Sequence, residues 1–482
     1  MPMANSSSIR LTEALFPLVI LIAMLAVNVF FFKDASLDGS NQFILLLGGA
    51  VAAIVGFSKK VSYEQMMNAV AENLKSTSSA LLILLLVGAL SGTWLLSGVI
   101  PTMIYYGIQL LNPSIFLVVS VIVCALISLA TGSSWTTSAT VGIALIGIGN
   151  AMGIPMGMTA GAILSGAYFG DKMSPLSDTT NLASAMAGAD LFTHIRYMLY
   201  TTVPTMVVTL IVFTIISFSI EPTALVQTDA LLKDITKVFT ITPYLFLIPF
   251  VVIVLIIKKT PPLAALLIGT LLGALAAIWA QPELVLQLSG ADELSFRSVY
   301  MTLLNAITVD LSIESSNSLL NDLFTSGGMS GMLGTIWLVI CAMVFGGVME
   351  AIGALNKITE ALLKLSKSVF GLFASTVGSC IALNLTASDQ YLAIVVPGKM
   401  FAKAYETKQL APENLSRTIE DSGTVTSVLV PWNTCGAYHS SVLGVPVFDY
   451  FIYAVFNYIS PFMTLLFAAF ALKIRRLAPQ VT

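Results

Sequence analysis

The sequence predicts an all-α polytopic membrane protein, built as two inverted repeats of five spans, each with a re-entrant hairpin and an interrupted helix. Three observations carry that prediction. Hydrophobic residues make up 57% of the 482 positions and charged ones only 10%, with a mean hydropathy of +0.91; a soluble domain carries about 25% charged residues. Apolar runs such as Ala14 to Phe32 and Thr201 to Ile220 come near the ~20 residues that cross ~30 Å of hydrocarbon. The same order of features also occurs twice along the chain. The net charge of −3 says little, because charge placement outweighs the sum in such a protein.

Full spans are expected at 13–32, 42–57, 78–98, 158–190 (interrupted), 197–219, 241–257, 262–280, 332–352, 410–438 (interrupted) and 447–471, with apolar hairpins at 114–149 and 368–404. The first run is longer than the ~7–15 residues of a signal-peptide core and lacks a small-residue cleavage site before Lys33, so it reads as a retained span. With a cytoplasmic N-terminus, 17 basic residues fall inside, Lys59, Lys60, Lys258, Lys259, Lys364, Arg417 and Arg475 among them. Four fall outside (Lys33, Lys233, Lys237 and Arg297), and Lys172 stays within the membrane. The opposite orientation inverts that ratio, so both termini are predicted cytoplasmic, in a cell-membrane protein. Full crossing by both hairpins leaves this sorting unchanged. The segment Ser62 to Ser76 places Met66, Ala69, Val70 and Leu74 at helical spacing and is expected on the cytoplasmic surface, with Ser295 to Ile307 as its counterpart. Cys124, Cys341, Cys380 and Cys435 show no disulfide or metal spacing and read as packing residues.

The repeat places an N-terminal half at 1–220, a linker at 221–240 and a C-terminal half at 241–482. A constant offset of 255 pairs Gly92 with Gly347, Gly98 with Gly353, Thr131 with Thr386 and Ser133 with Ser388. Each half reads span, span, surface helix, span, hairpin with a polar tip, interrupted span, span. Five spans per half invert the second half relative to the first, and inverted repeats with broken helices meeting at midplane are an architecture of secondary transporters.

The interruptions hold the chain's few intramembrane charges. Pro175 removes the donor that the Asp171 carbonyl expects in a helix, and Pro431 does the same to the Ser427 carbonyl. Ser174, Ser177, Asp178, Thr179, Thr180 and Asn181 add oxygens to the first break; Glu420, Asp421, Ser422, Thr424 and Asn433 line the second; the hairpin tip adds Asn384, Thr386, Ser388 and Asp389. Carboxylate, carbonyl and hydroxyl oxygens suit a small hard cation. Five acids (Asp171, Asp178, Asp389, Glu420, Asp421) face one lysine, Lys172, a balance of −4 if all ionise. Charge at the bilayer centre is expensive, so the site must hold protons or metal cations. Ions competing for the same carboxylates suffice for antiport. Lys172 is expected either as a counter-charge during the cycle or in a permanent structural pair, and Arg417 could pair with Glu420 at the cytoplasmic end. His439 reads as a solvated loop histidine rather than a pH sensor. Asp310, Glu314, Asp322 and Glu350 read as solvated. No GxxxxGK[ST] loop and no nucleic-acid-binding feature is present.

At FGDKMSPLSDTTNLASA, NLTASDQYLAIVVPGKMF and EDSGTVTSVLVPWNTCGAYHSSVLGV, the sequence resembles the NhaC family of Na⁺/H⁺ antiporters, part of the wider ion transporter superfamily. The resemblance implies a mobile transport domain of two hairpins and two interrupted helices beside a dimerising scaffold. It also implies a homodimer with elevator-like motion, no cofactor, and a path lined by Asp171, Ser174, Asp178, Thr179, Asn181, Asp389, Glu420, Asp421, Thr424 and Asn433. The Na⁺ site is expected at Asp171, Asp178 and Asp389, with Thr386 contributing at the tip, and Li⁺ as a possible substitute. The family includes a branch exchanging malate for lactate with Na⁺ and H⁺. The absence of an arginine from the path disfavours a dicarboxylate, although helix N-termini at the tips could hold an anion. An intramembrane aspartyl protease, with Asp171 and Asp421 as its pair, and a channel are the competing classes.

Overall fold

The computed structural model describes residues 9–32, 39–219, 228–315, 320–321 and 324–477. Most of the predicted linker's first residues, Lys33 and Asp322 lie outside the described residues. Eight described helices are long and apolar enough to cross a membrane: Leu11–Phe32, Ser40–Ser58, Tyr63–Leu96, Pro113–Thr131, Leu191–Ser219, Pro262–Ala280, Gly328–Ala351 and Val369–Thr386. Leu231–Val238 and Pro243–Ile257 add a ninth as a pair bent by 84°. The chain is an all-α, multi-pass membrane protein. Its described strands are one antiparallel pair, Leu311–Ser312 with Thr325–Ser326.

The two interrupted spans fall outside that set because each is cut, and so does the expected full span 447–471, which is two shorter helices, Val447–Phe451 and Val455–Ala469. The first comprises Met156–Met173 and Asp178–Ala187. The second runs through Pro412–Ile419, a π turn at Glu420–Thr424, a 3₁₀ turn at Ser427–Leu429 and Thr434–Leu443. The first hairpin pairs Pro113–Thr131 with a helix that starts at Ser134, passes a π turn at Ser138–Gly142 and ends at Ala151. The second pairs Val369–Thr386 with Gln390–Thr407. Each arm of 18 or 19 residues is roughly 27 Å long.

Further features differ from the sequence reading. Ser62 to Ser76 is not a separate surface helix. Ser62 caps it with Gln65 in a reciprocal pair, and it continues without a break into the span, giving the 34-residue helix Tyr63–Leu96. The junction has no Gly or Pro, and the hydroxyls of Ser76, Thr77 and Ser78 bond back onto their own helix's carbonyls. Its counterpart, Phe296–Thr308, is separate from the following span. Among the short helices that the structure adds are Val99–Leu110 and Ala354–Leu363, each entered through a glycine in the left-handed region, Gly98 (φ 79°) and Gly353 (φ 77°). A side chain is disfavoured there.

The cores draw on both halves of the sequence. One gathers Leu84, Phe116 and Ile163 with Val428 and Tyr450; another joins Leu45, Ala52 and Val70 to Met343 and Phe345.

Candidate functional site

Both hairpin tips and both helix breaks meet at one cavity of about 610 Å³, lined among others by Ser133, Trp135, Thr136, Asp171, Asp178, Thr179, Lys259, Asp389, Gln390, Tyr391 and Thr434. Four helical segments begin at its wall, at Ser134, Asp178, Gln390 and Thr434. Their caps come from Ser133, Ser177, Asp389 and Asn433. A helix N-terminus leaves N–H groups without intrahelical partners, and these short polar residues supply the acceptors.

Asp171 is buried. Its Oδ2 accepts from the Ser134 N–H (3.0 Å) and hydroxyl (2.6 Å), and its Oδ1 accepts from the Ser177 hydroxyl (2.6 Å). It thereby ties the first break to the first hairpin tip. Asp178 is exposed to the cavity; Tyr391 of the second hairpin donates its hydroxyl to Oδ2. Asp389 turns Oδ1 onto the Leu392 N–H (2.9 Å). Among the described residues, no three His, Cys, Asp or Glu side chains converge closely enough to hold a metal ion. Asp171, Asp178 and Asp389 therefore share a cavity wall without forming one ligand shell, two of them being aimed at helix N-termini.

Asp421 stands apart from that wall. Its Oδ1 pairs with Lys172, and its Oδ2 accepts from Thr201 (2.7 Å) and Thr464. Lys172 also approaches Ser460 (3.4 Å) and the Phe456 ring (5.6 Å). Both charges are fully buried, so of the two roles expected for Lys172 this structure shows the ion pair, which joins the two interrupted spans. Glu420 is buried; its Oε1 accepts from Thr179 (3.2 Å), and its Oε2 has no partner among the described residues. The expected Arg417–Glu420 pair is not formed. The Arg417 guanidinium instead lies 4.5 Å from the centre of the Tyr197 ring.

Several predicted oxygen donors serve the backbone. The Asp171 carbonyl is not free, since the Ser174 N–H reaches it at 3.1 Å, and the Ser427 carbonyl accepts from Val430 at 3.3 Å. A 3₁₀-type turn replaces the bond that each proline removes. Asn181 donates to the carbonyls of Pro175 (2.9 Å) and Ser177 (2.6 Å). Ser174 accepts from the Leu176 N–H, Thr386 bonds back to Ala382, and Asn433 holds Asn384 and the Cys435 N–H. Thr424 is buried; its hydroxyl acts on the Glu420 carboxylate but makes no well-formed hydrogen bond among the described residues. Around the second break, Asn384 takes the Gly423 carbonyl, Gln390 that of Thr424, Asn457 that of Val425 and Tyr450 that of Val428.

His439 is not a solvated loop residue. It is fully buried in a helix, with Nδ1 2.9 Å from the Ser138 hydroxyl. Asp310, Glu314 and Glu350 are exposed as expected. Residues that the sequence reading did not single out are Ser134, Trp135, Tyr391 and Thr201. Trp135 and Tyr391 follow the tip polar clusters by one or two positions, which is the signal that could have found them. Trp135 stacks on Tyr438 with ring centres 4.0 Å apart.

Residues 166–472 match the model of the Na⁺/H⁺ antiporter family. The chain is 38% identical to the Na⁺/H⁺ antiporter NhaC of Alkalihalophilus pseudofirmus, over 86% of this chain and 87% of that protein. It is 36% identical to the Na⁺/H⁺ antiporter NhaC of Bacillus subtilis, over 84% and 86%. It is also 37% identical to the malate-2H⁺/Na⁺-lactate antiporter of Bacillus subtilis, over 95% and 93%. The match extends from the first interrupted span through the last span, taking in every carboxylate described above. The chain belongs to the Na⁺/H⁺ antiporter family.

Proposed function

We propose that the chain exchanges Na⁺ for H⁺ across the cell membrane, that Asp171, Asp178 and Asp389 carry the competing ions at the cavity wall, and that Glu420, joined to that wall through Thr179, is a further acid on their path. The observation that carries this reading is the cavity wall, where, among the described residues, three carboxylates stand without an arginine and the sole lining lysine, Lys259, is exposed and screened by solvent. Four helix N-termini contribute roughly +0.5 charge each, about +2 together. Against three carboxylates, about one negative charge remains, the charge that one Na⁺ or one proton neutralises. Li⁺ is expected to substitute.

Glycine contacts support the inverted repeat. A Cβ on Gly92 would strike the Ala306 carbonyl of Phe296–Thr308 at 1.8 Å, and one on Gly347 would strike Val70 Cα in the amphipathic start of Tyr63–Leu96 at 2.7 Å. Each half's span thus packs on the other half's amphipathic segment. Convergence of both tips on one cavity supports re-entrant hairpins. Cytoplasmic termini, a homodimer and an elevator-like motion complete the proposal.

A second reading, exchange coupled to an organic acid, is favoured by the malate/lactate relative and by the same helix N-termini. Purified protein in liposomes with an internal pH dye separates the two. An imposed Na⁺ gradient, with no organic anion present, should move protons at once. Proton movement that starts only after malate or lactate is added would establish the second reading and exclude the first.

A further inference from the structure

Arg417 is fully buried, and none of its three guanidinium nitrogens has a hydrogen-bond partner among the described residues. An arginine is always charged, and a buried charge is normally paired or hydrogen-bonded. Here the π face of Tyr197, 4.5 Å away, is what holds it. Two carboxylates lie on the same face of the same helical segment, Glu413 four residues before and Glu420 three residues after. Each has a buried oxygen without a hydrogen-bond partner among the described residues, Glu413 Oε2 and Glu420 Oε2. They are not equivalent. Glu413 already holds Arg475 of the C-terminal segment through Oε1 at 3.1 Å. Glu420 accepts from the neutral Thr179 hydroxyl, which lines the cavity, and feels the Thr424 hydroxyl and the more distant Lys172 charge, but it has no ion-pair partner among the described residues.

We propose that Arg417 is a built-in counter-cation with two resting places, the Tyr197 ring seen in this structure and the Glu420 carboxylate, so that it competes with the transported cation for Glu420. This rests on the cation-exchange reading above. The lengths allow the swing: residues three apart on a helix have Cβ atoms about 5–6 Å apart. The competition has a function. A buried, uncompensated carboxylate such as Glu420 would bind its ion too tightly to release it, and an arginine arriving from three residues away displaces the ion without bringing water to that side chain. Arg417 thus acts on the cargo through Glu420, as a positioning residue.

The test measures the half-saturating NaCl for thermal stabilisation of the purified full chain, with choline chloride holding ionic strength constant. This reads binding even where exchange is lost. Exchange in liposomes is measured in parallel. Arg417→Gln should lower the half-saturating Na⁺ several-fold while slowing maximal exchange, and Arg417→Lys should stay near wild type. In a Glu420→Gln background, Arg417→Gln should have no further effect on Na⁺. Tyr197→Leu, which removes the ring, should raise the half-saturating Na⁺ several-fold; Tyr197→Phe, which keeps it, should not. An unchanged or raised value in Arg417→Gln, or the same shift with and without Glu420, overturns the inference. If Arg417→Gln does not fold, the Tyr197 pair decides, and equal values for Leu and Phe overturn it. A wild-type chain with no Na⁺-dependent stabilisation, and no proton movement under a Na⁺ gradient, overturns the exchange reading and this inference with it. Normal wild-type behaviour with unresponsive variants overturns this inference alone.

Discussion

Asp171 accepts from two hydroxyls and one N–H, and an asparagine can keep most of that geometry. Its oxygen still serves Ser134, and the Ser177 hydroxyl can turn to accept from the new amide. Asp171→Asn should therefore fold and reach the membrane, yet lose Na⁺-driven proton movement, because an amide cannot alternate between Na⁺ and H⁺. Asp178→Asn should do the same with still less effect on folding, since Asp178 faces the cavity rather than the core. Exchange at wild-type rate in both variants, read with a pH dye in liposomes, would remove the first interrupted span from ion handling. At this scale the sequence was a partial guide. It marked the acids, because charge in an apolar run stands out. It could not separate oxygens facing the cavity from those spent on the backbone, such as Asn181 on the Pro175 and Ser177 carbonyls, since both kinds are the same Ser, Thr and Asn residues beside a proline.

The elements were legible where hydropathy and proline speak, and less so elsewhere. Pro175 and Pro431 foretold both breaks, but the freed carbonyls were expected to face a ligand. Low-dielectric surroundings make an unpaired carbonyl costly, and the second break satisfies its carbonyls with three amides and one hydroxyl from four other helices. Those partners are distant in sequence, so no local pattern announces them. The same holds for the uninterrupted Tyr63–Leu96 helix, where amphipathic and apolar stretches join without a breaker. Asn384 is the sharpest probe of this scaffolding, because it grips the Gly423 carbonyl at 2.8 Å and the Thr426 hydroxyl at 3.0 Å. Asn384→Ala should leave the Gly423 carbonyl buried without a partner and cost about 1–3 kcal/mol. Thermal unfolding of the purified protein checks this. A transition unchanged from wild type would show that the break does not depend on that amide.

Across the whole molecule, the two interrupted spans belong to different halves of the sequence and are joined by one buried ion pair, Lys172 with Asp421. Counting charges along the sequence put both residues in the membrane, but assigned Asp421 to the ion path, because a one-dimensional count cannot show which acid the lysine neutralises. In the fold, Asp421 also accepts from Thr201 and Thr464, so its oxygens are occupied by protein on every side. Breaking such a pair from one side leaves an uncompensated buried charge, whereas replacing both partners with apolar groups is often neutral or stabilising. Lys172→Met should therefore destabilise the protein by about 3–5 kcal/mol, seen as a lower unfolding temperature in detergent. Lys172→Met combined with Asp421→Leu should recover most of that loss, short of what the two threonine hydroxyls forfeit with their acceptor. If the pair is a fixed strut between the halves, the double variant should also exchange Na⁺ for H⁺ in liposomes at a rate within a few-fold of wild type. Recovered stability with no exchange would mean that the pair opens during transport, and that Asp421 takes up an ion in a state other than this one.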